Sequence, residues 1–173
     1  MRRIDRKLRY DEARAVLHRA LYGVLSSTCD DGMPYGVPLS FVLTGNSLYF
    51  HGATEGQKLD NIRHDCRVCF TAVTDVQPDP VHLTMAYESA MAFGTAHIAY
   101  AEDERRAAFR LLAEKYAPQM TEQALDAYLK THAGDAAVVR IEVEYISGKA
   151  HHGRSENGKA DPPEKRIPPQ DSP

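Results

Sequence analysis

Between Tyr22 and His51 the chain passes through three short β-prone segments separated by tight-turn residues, a spacing that suits antiparallel strands and little else. Tyr22-Gly-Val-Leu-Ser-Ser-Thr-Cys29 reads as a strand and Asp30-Asp-Gly32 as a hairpin turn. Tyr35-Gly-Val-Pro-Leu-Ser-Phe-Val-Leu43 is the partner strand, and Gly45-Asn46 turns the chain into Ser47-Leu-Tyr-Phe-His51. Three strands in succession predict a meander.

A short amphipathic helix precedes it, with Asp11 at the N-cap and Ala13, Val16, Leu17, Ala20 and Leu21 at helical spacing. After the meander, Gly52-Ala-Thr-Glu-Gly56 breaks the sheet, and Gln57 to His64 predicts a helix across the barrel end, with Leu59, Ile62 and Arg63 on one face. Cys66 to Val76 is β-rich, Gln77-Pro-Asp-Pro80 is a turn, and Thr84 to Tyr100 is a long strand that Gly94 bends or bulges. Glu102-Asp-Glu104 opens a helix that Ala117-Pro118 stops, and a second helix follows from Thr121. In the last strand Val139, Ile141, Val143 and Tyr145 alternate with outward Arg140, Glu142 and Glu144, ending at Ser147-Gly-Lys149. Six strands and peripheral helices predict a mixed β-barrel, an α+β fold, over residues 1–150. Residues 151–173 predict a Pro-rich, disordered tail, because only Ala160 and Ile167 are apolar there and half of the ten prolines lie from Pro162 to Pro173.

A chain of 173 residues is expected to form one domain. With 21 Lys and Arg against 24 Asp and Glu, the net charge of −3 provides no broad positive field for nucleic acid or an anionic membrane. The absence of Trp, and of any basic stripe interleaved with aromatics, points the same way. Cys29, Cys66 and Cys69 are too few and odd in number for a disulfide framework, which suggests the cytoplasm. The basic N-terminus has no apolar stretch behind it, so neither a signal peptide nor a membrane span is expected.

The segment from Tyr49 to Arg63 carries the chemistry. A strand ends, a Gly-containing loop follows, and a helix begins with Lys58 in its first turn. Free N–H groups at a helix start, the positive end of its dipole and one ammonium together suit a phosphomonoester. Lys58 lies about 40° around the helix from Ile62, so it can lean inward. Spacing alone favours an ordinary solvated lysine, and Glu55 opposes a nearby anion unless it points away.

Phe50-His-Gly-Ala-Thr-Glu-Gly-Gln-Lys-Leu-Asp-Asn-Ile-Arg63, followed by Arg67-Val-Cys-Phe70, stands in order with Tyr35-Gly-Val-Pro-Leu-Ser-Phe41, Tyr87-Glu-Ser-Ala-Met-Ala-Phe-Gly94 and Ile146-Ser-Gly-Lys-Ala150. The set resembles the 5-nitroimidazole-resistance (Nim-type) branch of the pyridoxamine 5'-phosphate oxidase-like family. The resemblance implies a six-stranded FMN-binding split barrel, a homodimer with the flavin at its interface, and an FMN-dependent oxidoreductase reducing nitroimidazoles or related nitro-aromatic or quinone substrates. It also implies that Val37, Pro38, Leu39 and Ser40 lie against the isoalloxazine ring, that His51, Gly52 and Ala53 pass beside the cofactor, and that Lys58 reaches its phosphate. Ser89 takes the place of a flavin hydrogen-bonding residue, and Lys149 of the last motif joins the cofactor-binding set. His51 is the candidate catalytic group, since an imidazole titrates near neutrality; a structural histidine at a strand end is the alternative.

Two departures bear on activity. The vitamin oxidases of the wider family have Arg-x-Val-x-Leu-Lys where this chain has Tyr35-Gly-Val-Pro-Leu-Ser40, and an Arg-Leu-Ala-Pro finish that is absent here. Without those cations, oxidation of a phosphorylated vitamin is not expected. The competing readings are a non-catalytic flavin binder and a haem binder using His151-His152. Cys66-Arg-Val-Cys69 has metal-site spacing, but residues three apart on a strand face opposite ways, so no metal is expected.

Overall fold

The computed structural model describes residues 3–132 and 135–152. Helix α1 (Tyr10–Arg19) is followed by β1 (Tyr22–Thr28), β2 (Pro34–Ser40), β3 (Val42–Thr44), β4 (Ser47–Ala53), α2 (Gln57–His64), β5 (Arg67–Asp79), β6 (Thr84–Ala99), α3 (Glu102–Tyr116), α4 (Glu122–His132) and β7 (Ala136–His151). The strands form one antiparallel sheet in the order β2-β1-β5-β6-β7-β4-β3. Its edges are β2 and β3, which only Phe41 separates in the chain. The sheet must therefore curl until its edges adjoin, giving an incompletely closed barrel.

This arrangement corrects two expectations. The run Tyr35–Leu43 is two strands rather than one, which makes seven strands instead of six. The meander is in fact two hairpins that diverge to opposite edges. Phe41 makes the break because its peptide groups bond to a helix instead of a strand. Its N–H donates to the Tyr116 hydroxyl at 2.8 Å, and its carbonyl accepts from Lys115 Nζ at 2.9 Å. Its ring, fully buried, packs 4.6 Å from Phe70.

Other boundaries shift for local reasons. The N-cap of α1 is Arg9, whose N–H is accepted by Glu12 at 2.7 Å, and Asp11 sits in the first turn. On α2 the buried residues are Leu59, Asn61 and Ile62, whereas Arg63 faces outward to Asp60 at 2.8 Å. An amide can be satisfied inside where a guanidinium would be desolvated: Asn61 donates to Ser27 Oγ at 3.0 Å and accepts from Gln57 at 2.7 Å. Strand β5 continues through Gln77 and Pro78, and the turn falls at residues 80–83. Pro78 is tolerated because β5 pairs with β1 only over Cys69–Ala72, leaving one side open beyond it. The predicted bulge at Gly94 is present: Phe93 pairs with Tyr145 and Gly94 with Val143, so Glu144 is the extra residue. Alternation reverses there, turning Tyr145 outward and Ile146 inward, against the simple alternation expected. Strand β7 runs to His151, into the first residue of the tail predicted over 151–173, and residues 153–173 lie outside the described residues.

The main core joins Ala13, Val16 and Leu17 of α1 to Leu25, Phe50, Phe70 and Ile141 of the barrel. Gly148 permits this docking, since a Cβ there would come 2.5 Å from Ala13 Cβ. A second cluster seats Ala108 and Phe109 of α3 and Leu125 and Leu129 of α4 on Ala99 and Val138.

Candidate functional site

At the end of β4, His51, Gly52 and Ala53 lead through the loop to Gly56, whose φ of +123° suits glycine alone. Gly56 supplies no side-chain cap, so the first N–H groups of α2 remain available to an anion. The Asn61–Ser27 bond pins this helix to β1. Lys58 then folds back over Gly52 so closely that a Cβ on Gly52 would lie 2.7 Å from Cε and 2.9 Å from Nζ. Among the described residues Lys58 makes no ion pair, and Glu55 is exposed and does not meet it. The absence of Cβ at Gly52 makes the space for the ammonium. An ammonium and open helix N–H groups on one small loop fit a terminal phosphate.

On β2, Val37 and Leu39 turn inward against the core, while Pro38 and Ser40 face out. As an edge strand, β2 leaves one row of peptide groups unpaired with any strand. Ser40 and His51 share the wall of one cleft, so Pro38, Ser40, His51, Gly52 and Lys58 belong to one region. The His51 ring packs 5.3 Å from Phe109, and burial pushes its pKa below the ordinary imidazole value. Burial likewise pulls Lys115 down to about 8.

Ser89 and Lys149 stand elsewhere. They are paired across β6 and β7, with Ser89 Oγ donating to the Lys149 carbonyl at 3.2 Å. Counted from β2 these strands are three and four steps away, roughly 15–20 Å across the sheet. One protomer therefore does not gather all the predicted residues. Between the two groups lies an outward face in continuous register: Val24–Thr71–Met91–Ser147 beside Ser26–Cys69–Phe93–Tyr145. Tyr22, Val24, Met91, Phe93 and Tyr145 on it are all more than a third exposed. The alternating strands carried this signal, but outward apolar residues are hard to tell from core without the register.

Cys69 lies on that face with its thiol pushed up by burial; Cys66 precedes β5, and the three cysteines are free. Among the described residues no three His, Cys, Asp or Glu side chains converge as metal ligands, and no helix is long and apolar enough to cross a membrane. His151 pairs with Tyr87, and His152 Nδ1 lies 3.8 Å from Glu88. Sequence reasoning missed the Lys115–Tyr116 clamp on Phe41, because contacts between residues some 75 positions apart leave no periodic trace.

Residues 9–150 match the sequence family described as pyridoxamine 5'-phosphate oxidase. Among solved structures, a candidate 5-nitroimidazole antibiotic resistance protein from Bacteroides thetaiotaomicron is similar at 22% identity and a TM-score of 0.68, over 83% of this chain and 85% of its own. A FAD-binding protein from Mesorhizobium loti is 21% identical, with a TM-score of 0.59 over 84% of this chain and 97% of its own. A FAD and heme binding protein from Mycobacterium smegmatis is 18% identical, with a TM-score of 0.66 over 84% of this chain and 72% of its own. At these identities the likeness is one of fold. No curated protein sequence matches the chain.

Proposed function

The chain belongs to the pyridoxamine 5'-phosphate oxidase family, and on that premise we propose that it is a cytoplasmic, homodimeric FMN protein of the Nim-type branch that reduces small nitro-aromatic or quinone substrates. The observation that carries this reading is the Lys58 ammonium folded over Gly52 beside the uncapped start of α2. Flavin is also what the Mesorhizobium loti and Mycobacterium smegmatis proteins bind, as FAD. A single ammonium and one helix start suit the lone terminal phosphate of FMN. When bound, the flavin would supply two-electron transfer. The chain's part is to hold the phosphate at Lys58, set the ring against the edge at residues 37–40, where Pro38 and Ser40 face out and Val37 and Leu39 back them from the core, and pass His51, Gly52 and Ala53 alongside. Tyr35 and Ser40 offer no counter-charge to a phosphorylated vitamin, which argues against vitamin oxidation.

The second half of the site comes from the partner in this reading. Docking two protomers through the apolar face between the groups would set Ser89 and Lys149 of one near β2 of the other. Phe93→Glu places a charge at the centre of that face, where it would be buried unpaired. The expected result is dissociation to monomers in sedimentation velocity, with loss of bound flavin; a Phe93→Glu dimer retaining FMN contradicts the arrangement.

The direct test is the purified protein. It should be yellow, release FMN on denaturation and oxidise reduced nicotinamide faster when a nitroimidazole is added. A Soret band without flavin absorption would instead support haem binding, and flavin with a flat baseline a non-catalytic binder.

His51, kept neutral at pH 7 by its lowered pKa, would orient the substrate by a hydrogen bond and not serve as a charged acid. His51→Ala should keep its flavin yet lose about tenfold in turnover, the worth of one hydrogen bond. His51→Gln should restore most of it, and the wild-type rate should stay level from about pH 7 to 8. Full turnover in the alanine variant removes the role.

A further inference from the structure

Apart from Ser40 and His51, the walls of the cleft between α3, α4 and the barrel take no part in holding the flavin. Its floor is Phe109, Leu112 and Leu125, all buried, and its rim is Met120 and Tyr128. Ser40 and His51 form the side toward the flavin region. The cleft is open to solvent on one side, and its volume is about 180 Å³. An apolar cavity of about 150 Å³ is enough for benzene, so the walls can cover one aromatic ring, and a second fused ring would project through the open side.

Charge narrows the occupant further. No cation lines the cleft. Lys115, on the same helix, donates to the Phe41 carbonyl at 2.9 Å and lies 4.2 Å above the Phe41 ring. The Tyr116 hydroxyl is likewise engaged, accepting from the Phe41 N–H at 2.8 Å. The His51 imidazole and the Ser40 hydroxyl are left to meet a polar substituent, and the Phe109 ring beside His51 offers an aromatic surface. An anionic ring would surrender its hydration without a counter-charge.

We propose that this cleft binds a neutral, single-ring aromatic with a hydrogen-bond acceptor turned toward His51, and that it is the ring subsite of the reduction. Its role as a substrate site rests on the flavin reading; ring binding itself depends only on the walls.

Calorimetric titration of the purified protein, with and without added FMN, tests this with two probes, nitrobenzene and 4-nitrobenzoate. Nitrobenzene should bind in both conditions, and 4-nitrobenzoate at least tenfold more weakly. Ala113→Phe, on the α3 wall, should fill the cleft and weaken nitrobenzene at least tenfold while FMN is retained. Ala117→Leu serves the same purpose should the larger side chain disturb folding. Equal affinity for the two probes, or unchanged nitrobenzene binding in a folded cleft-filling variant, overturns the proposal. Failure to bind FMN, with nitrobenzene still binding as described, would defeat the flavin reading and leave the ring site supported.

Discussion

Alanine at position 94 should lower the melting temperature by on the order of 10 °C, whereas alanine at position 36 should leave it nearly unchanged. A Cβ on Gly94 would stand 1.9 Å from the Glu142 carbonyl oxygen, 2.9 Å from its carbonyl carbon and 3.2 Å from Val143 Cα. All three are backbone atoms of the paired strand, so no rotamer change relieves the clash. β6 and β7 must separate locally, combining overpacking strain with lost ladder hydrogen bonds, a loss of about 3 kcal/mol. A domain of this size loses roughly 2–4 °C per kcal/mol, which gives the expected shift. Gly36 is the control: it also lies in a strand, but its Cβ would meet only Val24 Cγ1 at 3.4 Å. Thermal unfolding followed by circular dichroism reads both, and a Gly94→Ala protein melting within 2 °C of wild type would refute the argument. The bulge at Gly94 also determines which way the second half of β7 faces. Without it, Tyr145 would point into the core and Ile146 out of it.

That dependence shows how far local pattern reached. The bounds of helix α2 were legible because Gly56 marks its start, but its inner face was only partly so, since Asn61 and not Arg63 is buried beside Leu59 and Ile62. The bulge at Gly94 was legible as a glycine within a strand, but its effect on Tyr145 was not, since reversal depends on which partner residue is skipped. Phe41 was misread because alternation runs through it unbroken. Only Lys115 and Tyr116, far along the chain, take its peptide groups out of the strand. The same limit governs the site. Lys58 could be placed from the loop and the helix start, which are local. The distance between Ser40 and the Ser89–Lys149 pair could not, because strand order is a property of the whole sheet. The aromatic cleft under α3 and α4 was invisible for the same reason: its walls come from four separate elements.

Lys58→Met should weaken FMN binding about 10- to 100-fold and leave riboflavin binding unchanged, because a charge-assisted hydrogen bond contributes about 1.5–3 kcal/mol and riboflavin has no phosphate to receive it. Gly52→Ala is the subtler probe of the same contact. The new Cβ would fall 2.7 Å from Lys58 Cε and 2.9 Å from Nζ, and these atoms are the far end of a flexible side chain. The lysine can swing aside at little cost, so the barrel should fold normally while the ammonium leaves its place beside α2. FMN affinity should then fall in Gly52→Ala nearly as far as in Lys58→Met, and the double variant should be no worse than Lys58→Met alone, since both changes remove one interaction. Quenching of flavin fluorescence on binding measures all three variants with both ligands. If riboflavin weakens in step with FMN, the lysine acts on the ring or on the fold instead of on the phosphate. If the two substitutions add, Gly52 has a separate role, and the close approach of ammonium to strand is not what holds the anion.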